Sequence, residues 1–462
     1  MTRVFLFSLL CFGVISLVAC GKDGMHSPPP NPPRGITVVP GDKKVTIRWI
    51  EGAGTTYNLY MAEAAGVTKE NVGTLAGGME HKPVTSPFVH ANLQNVTQYF
   101  FVLTAVTADG ESQESNEVSA TATSTVANPK AIAAGDAHTC AILASGSVKC
   151  WNNNNDTPTA TSTAITAGGR HTCAILLPDN SVQCWGDNNF GQLGDGTVIA
   201  TSTPMAIAAG DAHTCAILTD GSVKCWGNNE DGQLGNGAII TGDPSSTSTP
   251  VSVIGIGTAI TITAGEAHTC AILTDGSVKC WGSNNLGQLG VDVINTVATS
   301  TPALVPGITA KAITAGGRHT CAILLLDNTV KCWGDNNFGQ LGDGTFNATS
   351  NPVSIGIATS TAITAGLGHT CALLLGKSVQ CWGFNASGQL GNDRFTNSNI
   401  PVTVIGVTDA TAIDAGLAHT CAILESGIIT CWGDNTNDQL GISSNIFDKS
   451  SVLVQVQVSG IP

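Results

Sequence analysis

One sentence is written seven times in this chain of 462 residues: Gly-x-x-His-Thr-Cys-Ala, a short turn, then Cys-Trp. The first cysteines are Cys140, Cys173, Cys215, Cys270, Cys321, Cys371 and Cys421. Their partners, ten or eleven positions on, are Cys150, Cys184, Cys225, Cys280, Cys332, Cys381 and Cys431. Self-similarity at this period marks an array of one supersecondary unit, because a single unit cannot bury its own apolar face. Each unit reads as four short strands: Pro-Val-x-Val, Ala-Ile-x-Ala-Gly, His-Thr-Cys-Ala-Ile-Leu and Val-x-Cys-Trp-Gly. An Asn-rich loop and Gly-Gln-Leu-Gly follow. Four strands in about 50 residues is one propeller blade, and seven blades close a ring.

The cysteine spacing agrees with hairpin geometry. In the fourth unit a three-residue loop, Thr274-Asp275-Gly276, sets Leu273 opposite Ser277 and so Cys270 opposite Cys280. Such loops want a left-handed third residue, which Gly276 supplies. Gly146, Gly221 and Gly427 hold the same place, and four-residue loops around Pro178-Asp179 and Leu326-Asp327 restore the register in two longer units. The sixth unit, with Gly376 central, fits neither pattern. Of 16 cysteines, 14 therefore read as seven within-blade disulfides, which implies an oxidising compartment. Structural zinc fits poorly, since it wants two closely spaced cysteine pairs together. The chain ends in a Val-rich strand, Ser451 to Val458, while the first unit begins at Ala131 with no such strand before it. Pairing of that last strand with the first blade is expected to close the ring and hide both edges.

The N-terminus gives an address. Arg3 precedes an apolar run from Val4 to Ala19, too short to span a bilayer comfortably and suited to a signal peptide. Leu17-Val18-Ala19-Cys20 resembles a bacterial lipobox, which implies that 1–19 is removed and that Cys20 carries the lipid. An ordinary secretory signal stays open beside it. Gly21 follows Cys20, so delivery to the outer membrane, facing the periplasm or the surface, is expected. Residues 20–34 contain a proline-rich stretch that reads as an extended stalk. The formal net charge is −14 and no Lys/Arg cluster occurs, which argues against nucleic-acid binding. Contact with membrane is expected through the lipid anchor alone.

Residues 35–124 alternate apolar and polar positions between polar turns. Trp49, Leu93 and Tyr99 resemble the core tryptophan and corner tyrosine of a fibronectin type III module, implying an N-terminal β-sandwich. The seven units over 131–462 resemble the repeats of the regulator of chromosome condensation family, which implies an all-β chain with a seven-bladed β-propeller. The nuclear exchange activity of that family's founding member does not suit an exported chain. Exported bacterial relatives that grip β-lactamases with one propeller face make protein binding the natural implication.

The recurrent side chains read first as scaffold. His138, His171, His213, His268, His319, His369 and His419 share one repeat position, which favours a hydrogen bond made seven times over a metal ring. The tryptophans from Trp151 to Trp432 read as interblade packing. The Asp187 and Asp335 loops lack the bidentate acid of a calcium loop and read as Asx turns. Arg170 and Arg318, in equivalent Gly-Gly-Arg-His sites, read as solvated, with an anion or partner contact as the sharper alternative. The first unit lacks Gly-Gln-Leu-Gly, and the third carries an insert around Ala238 to Ser248; irregular loops on a regular ring are candidate contact sites. No nucleophile elbow, zinc-protease motif or phosphate loop is present, and no cofactor is implied. The expected function is non-catalytic: a lipid-anchored envelope protein displaying a propeller to a protein or glycan. Two alternatives stay open: an extracytoplasmic polysaccharide lyase or hydrolase with its site in the channel, and a passive envelope component.

Overall fold

The computed structural model describes residues 29–41, 43–95, 97–122, 129–151, 158–194, 203–239, 245–291, 298–357, 359–441 and 449–456. Residues 1–19, expected from sequence to be a signal peptide, and Cys20 lie outside these. The described chain is all-β, apart from one 3-10 turn, Val72–Thr74. Among the described residues no helix is long and apolar enough to cross a membrane.

Residues 37–121 form two sheets. Strands Thr37–Gly41, Lys44–Arg48 and Phe88–Ala91 make the first; Met79–Val84, Thr56–Ala62 and Gln98–Thr107 are central to the second. Alternation along Lys44–Arg48 turns Val45 and Ile47 into a core shared with Trp49, Leu59, Phe101 and Leu103. Trp49 packs on Tyr57 with ring centroids 5.5 Å apart. The Tyr99 hydroxyl accepts the Gln94 N–H at 3.0 Å, and Leu93 is buried beside it.

The fourth repeat shows how a unit is built. Its inner strand, Ala259–Ala264, pairs with His268–Leu273, which pairs with Ser277–Ser283. The fourth strand is the first half of Ala298–Ala315, whose second half becomes the inner strand of the next unit. The Pro-Val strand therefore sits on the Cys-Trp strand before it, at the outer edge, and does not open the unit that follows it in sequence. This overturns the expected closure. The C-terminal strand Lys449–Val456 pairs with Ile429–Asp434 of its own unit, not with the first. The first and second units show three described strands each.

Closure is made at the inner edge instead. The Asp414 carboxylate accepts the Ala134 N–H at 2.7 Å and the Thr364 hydroxyl at 2.9 Å, so one side chain ties the sixth, seventh and first units. Ala141 and Trp151 of the first unit complete the seventh unit's core around Cys421, Ile423 and Leu440.

All fourteen cysteines lie in seven disulfides, each joining directly opposed residues of the second and third strands, with Cα atoms 4.0 to 4.1 Å apart. Gly276 takes the left-handed conformation at φ 80° that the three-residue loop requires. The sixth unit uses the same loop, with Lys377 rather than a glycine at φ 63°.

Candidate functional site

The repeated residues spend their chemistry on one another. In each of the seven units the histidine Nε2 lies 2.7 to 2.9 Å from the threonine hydroxyl of the next unit, from His138–Thr172 round to His419–Thr139. Six of those hydroxyls donate to a glutamine carbonyl, such as Thr320 to Gln288 at 2.8 Å. A hydroxyl has one proton, so each of these threonines accepts from the histidine, which fixes the Nε2–H tautomer. The same glutamine carbonyl receives the indole N–H of the next unit's tryptophan, as Gln288 does from Trp333 at 3.0 Å. Gly-Gln-Leu-Gly is thus a socket for the neighbouring unit. Trp185, which faces the first unit where that motif is missing, has no acceptor for its indole N–H among the described residues.

Burial holds these imidazoles neutral. It pushes His171, His213, His319, His369 and His419 down to about 3, and His138 and His268 to about 4. Among the described residues no group of three or more His, Cys, Asp or Glu is placed to hold a metal ion.

The inner strands end in Ala-Gly and one further residue at the mouth of the channel. Each rim residue donates its backbone N–H, at 3.2 to 3.3 Å, to the next unit's rim residue or to the glycine before it: Asp136 to Gly169, Gly169 to Gly210, Asp211 to Gly265, Glu266 to Gly317, Gly317 to Gly366, Leu367 to Leu417 and Leu417 to Gly135. They line a cavity of about 260 Å³ whose walls are otherwise alanine and glycine. The rim has two sectors. On one side, burial and then the charge of Asp211 push the Asp136 carboxyl up to about 6, against the lowering influence of Arg170. Asp211 is raised as well, by partial burial and by Glu266. Glu266 holds Arg318 in a two-point ion pair at 2.9 and 3.1 Å. On the other side Leu367 is 46% exposed, and Phe338 and Phe384 pack with centroids 4.8 Å apart. Gly368 lies between them: a methyl there would come within 3.0 Å of the Phe338 ring and 3.4 Å of the Phe384 side chain.

Of the irregular loops proposed from sequence, 152–157 and 240–244 lie outside the described residues. Arg318 is ion-paired rather than simply solvated, while Arg170 is exposed beside Asp136 and Asp211. The Asp187 and Asp335 carboxylates accept the N–H two residues on, as Asx turns do. Sequence reasoning missed the rim itself. Its signal was the residue after each Ala-Gly, the position where otherwise uniform units differ.

Residues 156–460 match the RCC1-like domain model, and 130–156 match the regulator of chromosome condensation (RCC1) repeat. Over 176 residues, 37% of this chain, the sequence is 28% identical to the human E3 ubiquitin-protein ligase HERC2, spanning 3% of that protein. It is 28% identical over 179 residues to the ultraviolet-B receptor UVR8 of Arabidopsis thaliana, covering 37% of this chain and 40% of that one. The match therefore spans less than half the length of either relative. Yeast RCC1 (Prp20), solved bound to Kap60, superimposes with a TM-score of 0.58 and 21% identity, over 65% of this chain and 75% of that one. The likeness shows the fold of an RCC repeat propeller, and with a family model matching most of its length the chain belongs to the RCC1-like domain family.

Proposed function

We propose that this chain is a non-catalytic, lipid-anchored protein of the bacterial cell envelope. In this reading 1–19 is a signal peptide, Cys20 carries the lipid, and 20–34 is a stalk. A fibronectin type III-like module over 35–124 then holds out a seven-bladed, disulfide-stapled propeller over 131–462 to bind a protein partner. One observation carries the binding role: the wall of the ring is uniform, its His, Thr and Trp side chains turned inward and bonded between units, whereas the rim differs from unit to unit. Side chains consumed in the scaffold cannot recognise a ligand; those left over at the mouth can. A cavity of about 260 Å³ is below the roughly 300–1,000 Å³ usual for small-molecule sites, so the mouth suits a protein surface sending one side chain inward. Seven disulfides support an oxidising compartment.

A channel enzyme is the second reading, favoured by one observation, the raised carboxyl of Asp136 close to Asp211. Cross-linking the lipidated protein in intact cells of its source, followed by mass spectrometry, separates the two. A stoichiometric protein adduct is expected; a blank from protein shown to be correctly located contradicts the binding role.

A further inference from the structure

We infer that the mouth face takes a basic, apolar-tipped segment of a protein partner; the inference rests on the binding role proposed above and names the chemistry of its occupant. The rim is divided by ring position, and the division runs through the loops around it. The charges of Asp187, Asp211, Glu230 and Glu266 lie close enough to help raise the carboxyls of Asp136, Asp211 or Asp231. Two guanidiniums stand against them, Arg170 and Arg318, and Arg318 is already tied to Glu266. The sector is left with an excess of negative charge that its own cations do not neutralise.

The sixth unit carries the opposite character at the same positions, with Phe338 of the fifth beside it. Phe384 stands where other units have Asp187, Asn228, Ser283, Asp335 or Asp434. Leu367 stands where others have Asp136, Asp211 or Glu266. A methyl on Gly317 would come within 2.7 Å of Leu367 Cδ1, and one on Gly368, the next residue after Leu367, within 3.0 Å of the Phe338 ring, so Leu367 and the Phe338–Phe384 pair lie over neighbouring glycines on one side of the mouth. Apolar groups exposed on one side of a cavity mouth favour a covering surface, and the uncompensated carboxylates across the mouth select its charge. An apolar side chain seats on Leu367, Phe338 and Phe384 while a lysine or arginine reaches Asp136 and Asp211. An acidic segment would meet like charge, and a purely polar one would leave the patch in water.

The test uses the full-length protein and short synthetic peptides of alternating Lys and Leu, Glu and Leu, or Lys and Ser, with fluorescence anisotropy at low ionic strength. The Lys–Leu peptide is expected to bind, more weakly as salt rises, and the other two at least about tenfold more weakly. The pair Asp136→Asn with Asp211→Asn, and separately Leu367→Ser with Phe338→Ser, each cost about tenfold in affinity for it. Leu326→Ser, on a hairpin tip at the opposite end of the ring, changes nothing. All five positions are at or near the surface, and a melting curve on each variant shows whether the ring persists. Equal binding of the Glu–Leu peptide, or Lys–Leu binding indifferent to both rim pairs in folded protein, overturns the inference. So does preferential occupation of the face by a second copy of the chain or by maltohexaose, and these outcomes leave the broader binding role standing. Loss of that role shows separately, as a blank in the cellular cross-linking experiment.

Discussion

At the scale of single residues, the histidines decide how the protein responds to acid. Their folded affinity for protons is depressed, so between the unfolded value near 6.5 and about 3 the unfolded chain binds more protons. Their contribution to stability is complete above about pH 6.5 and is lost as pH falls through that window. Asp136 and Asp414 act oppositely: raised to about 6, they weaken the fold as pH climbs from the ordinary carboxyl range to 6. Seven imidazoles outnumber these carboxyls, so the melting temperature is expected to fall steadily from pH 7 to pH 4. Replacing one histidine, His319→Gln, should flatten the slope by about 1.4 kcal/mol per pH unit; an unchanged slope would mean that His319 is not held neutral. Thr320→Val tests the links themselves. It leaves the His268 N–H without its acceptor, for an expected loss of about 1–3 kcal/mol in urea unfolding, whereas Thr349→Val, on a half-buried outer strand where the hydroxyl bonds only the Asn351 backbone, should cost less. The recurrence of His and Thr made a structural bond legible in the sequence. Its partner was not, because six of the bonds cross between units 34 to 56 residues apart and the seventh, His419 to Thr139, spans 280.

At the scale of elements, period and hairpin register were readable because both are local. The pairing within each cysteine hairpin follows from loop length, and only the sixth turn resisted, where Lys377 takes a conformation usually left to glycine. The order of strands within a unit was not readable. Adjacent strands in sequence pair either within a unit or across its boundary, and the alternating pattern is the same in both cases. The seam shows the consequence. Asp414 occupies the place of Thr166, Thr263, Thr314 and Thr364 in the other units, three of which accept the N–H of the next inner strand. An aspartate there reaches Ala134 and Thr364 together, but it is a buried carboxyl pushed up to about 6. Asp414→Asn keeps an acceptor without the charge and should equal or exceed the native stability at pH 7.5. Asp414→Ala leaves the Ala134 N–H unpaired and should fall about 1–3 kcal/mol below the Asn variant. Equal denaturation midpoints for the two variants would remove Asp414 from closure.

At the scale of the whole molecule, the N-terminal sheets are seated on the ring. Arg48 pairs with Asp409, which is only 9% exposed in its side chain and precedes the seventh inner strand, at 3.2 Å. Gly35 packs against Ile405 and Ile50. Arg48→Ala leaves Asp409 buried without its cation, and the expected result is a looser molecule: a larger radius of gyration in solution scattering with the ring's melting unchanged. An unaltered scattering profile would show that other contacts hold the two bodies. No pattern in the sequence announced this contact, since Arg48 and Asp409 are 361 positions apart. The same separation of scales directs the proposed binding role to the rim, where a uniform wall leaves its few unlike side chains in the open. The most direct measurement puts a photoreactive side chain at Leu367 on the mouth face or at Leu326 on the opposite hairpin tip, in cells of the source. The account predicts a defined protein adduct from position 367 and none from 326. An adduct from 326 alone would contradict it.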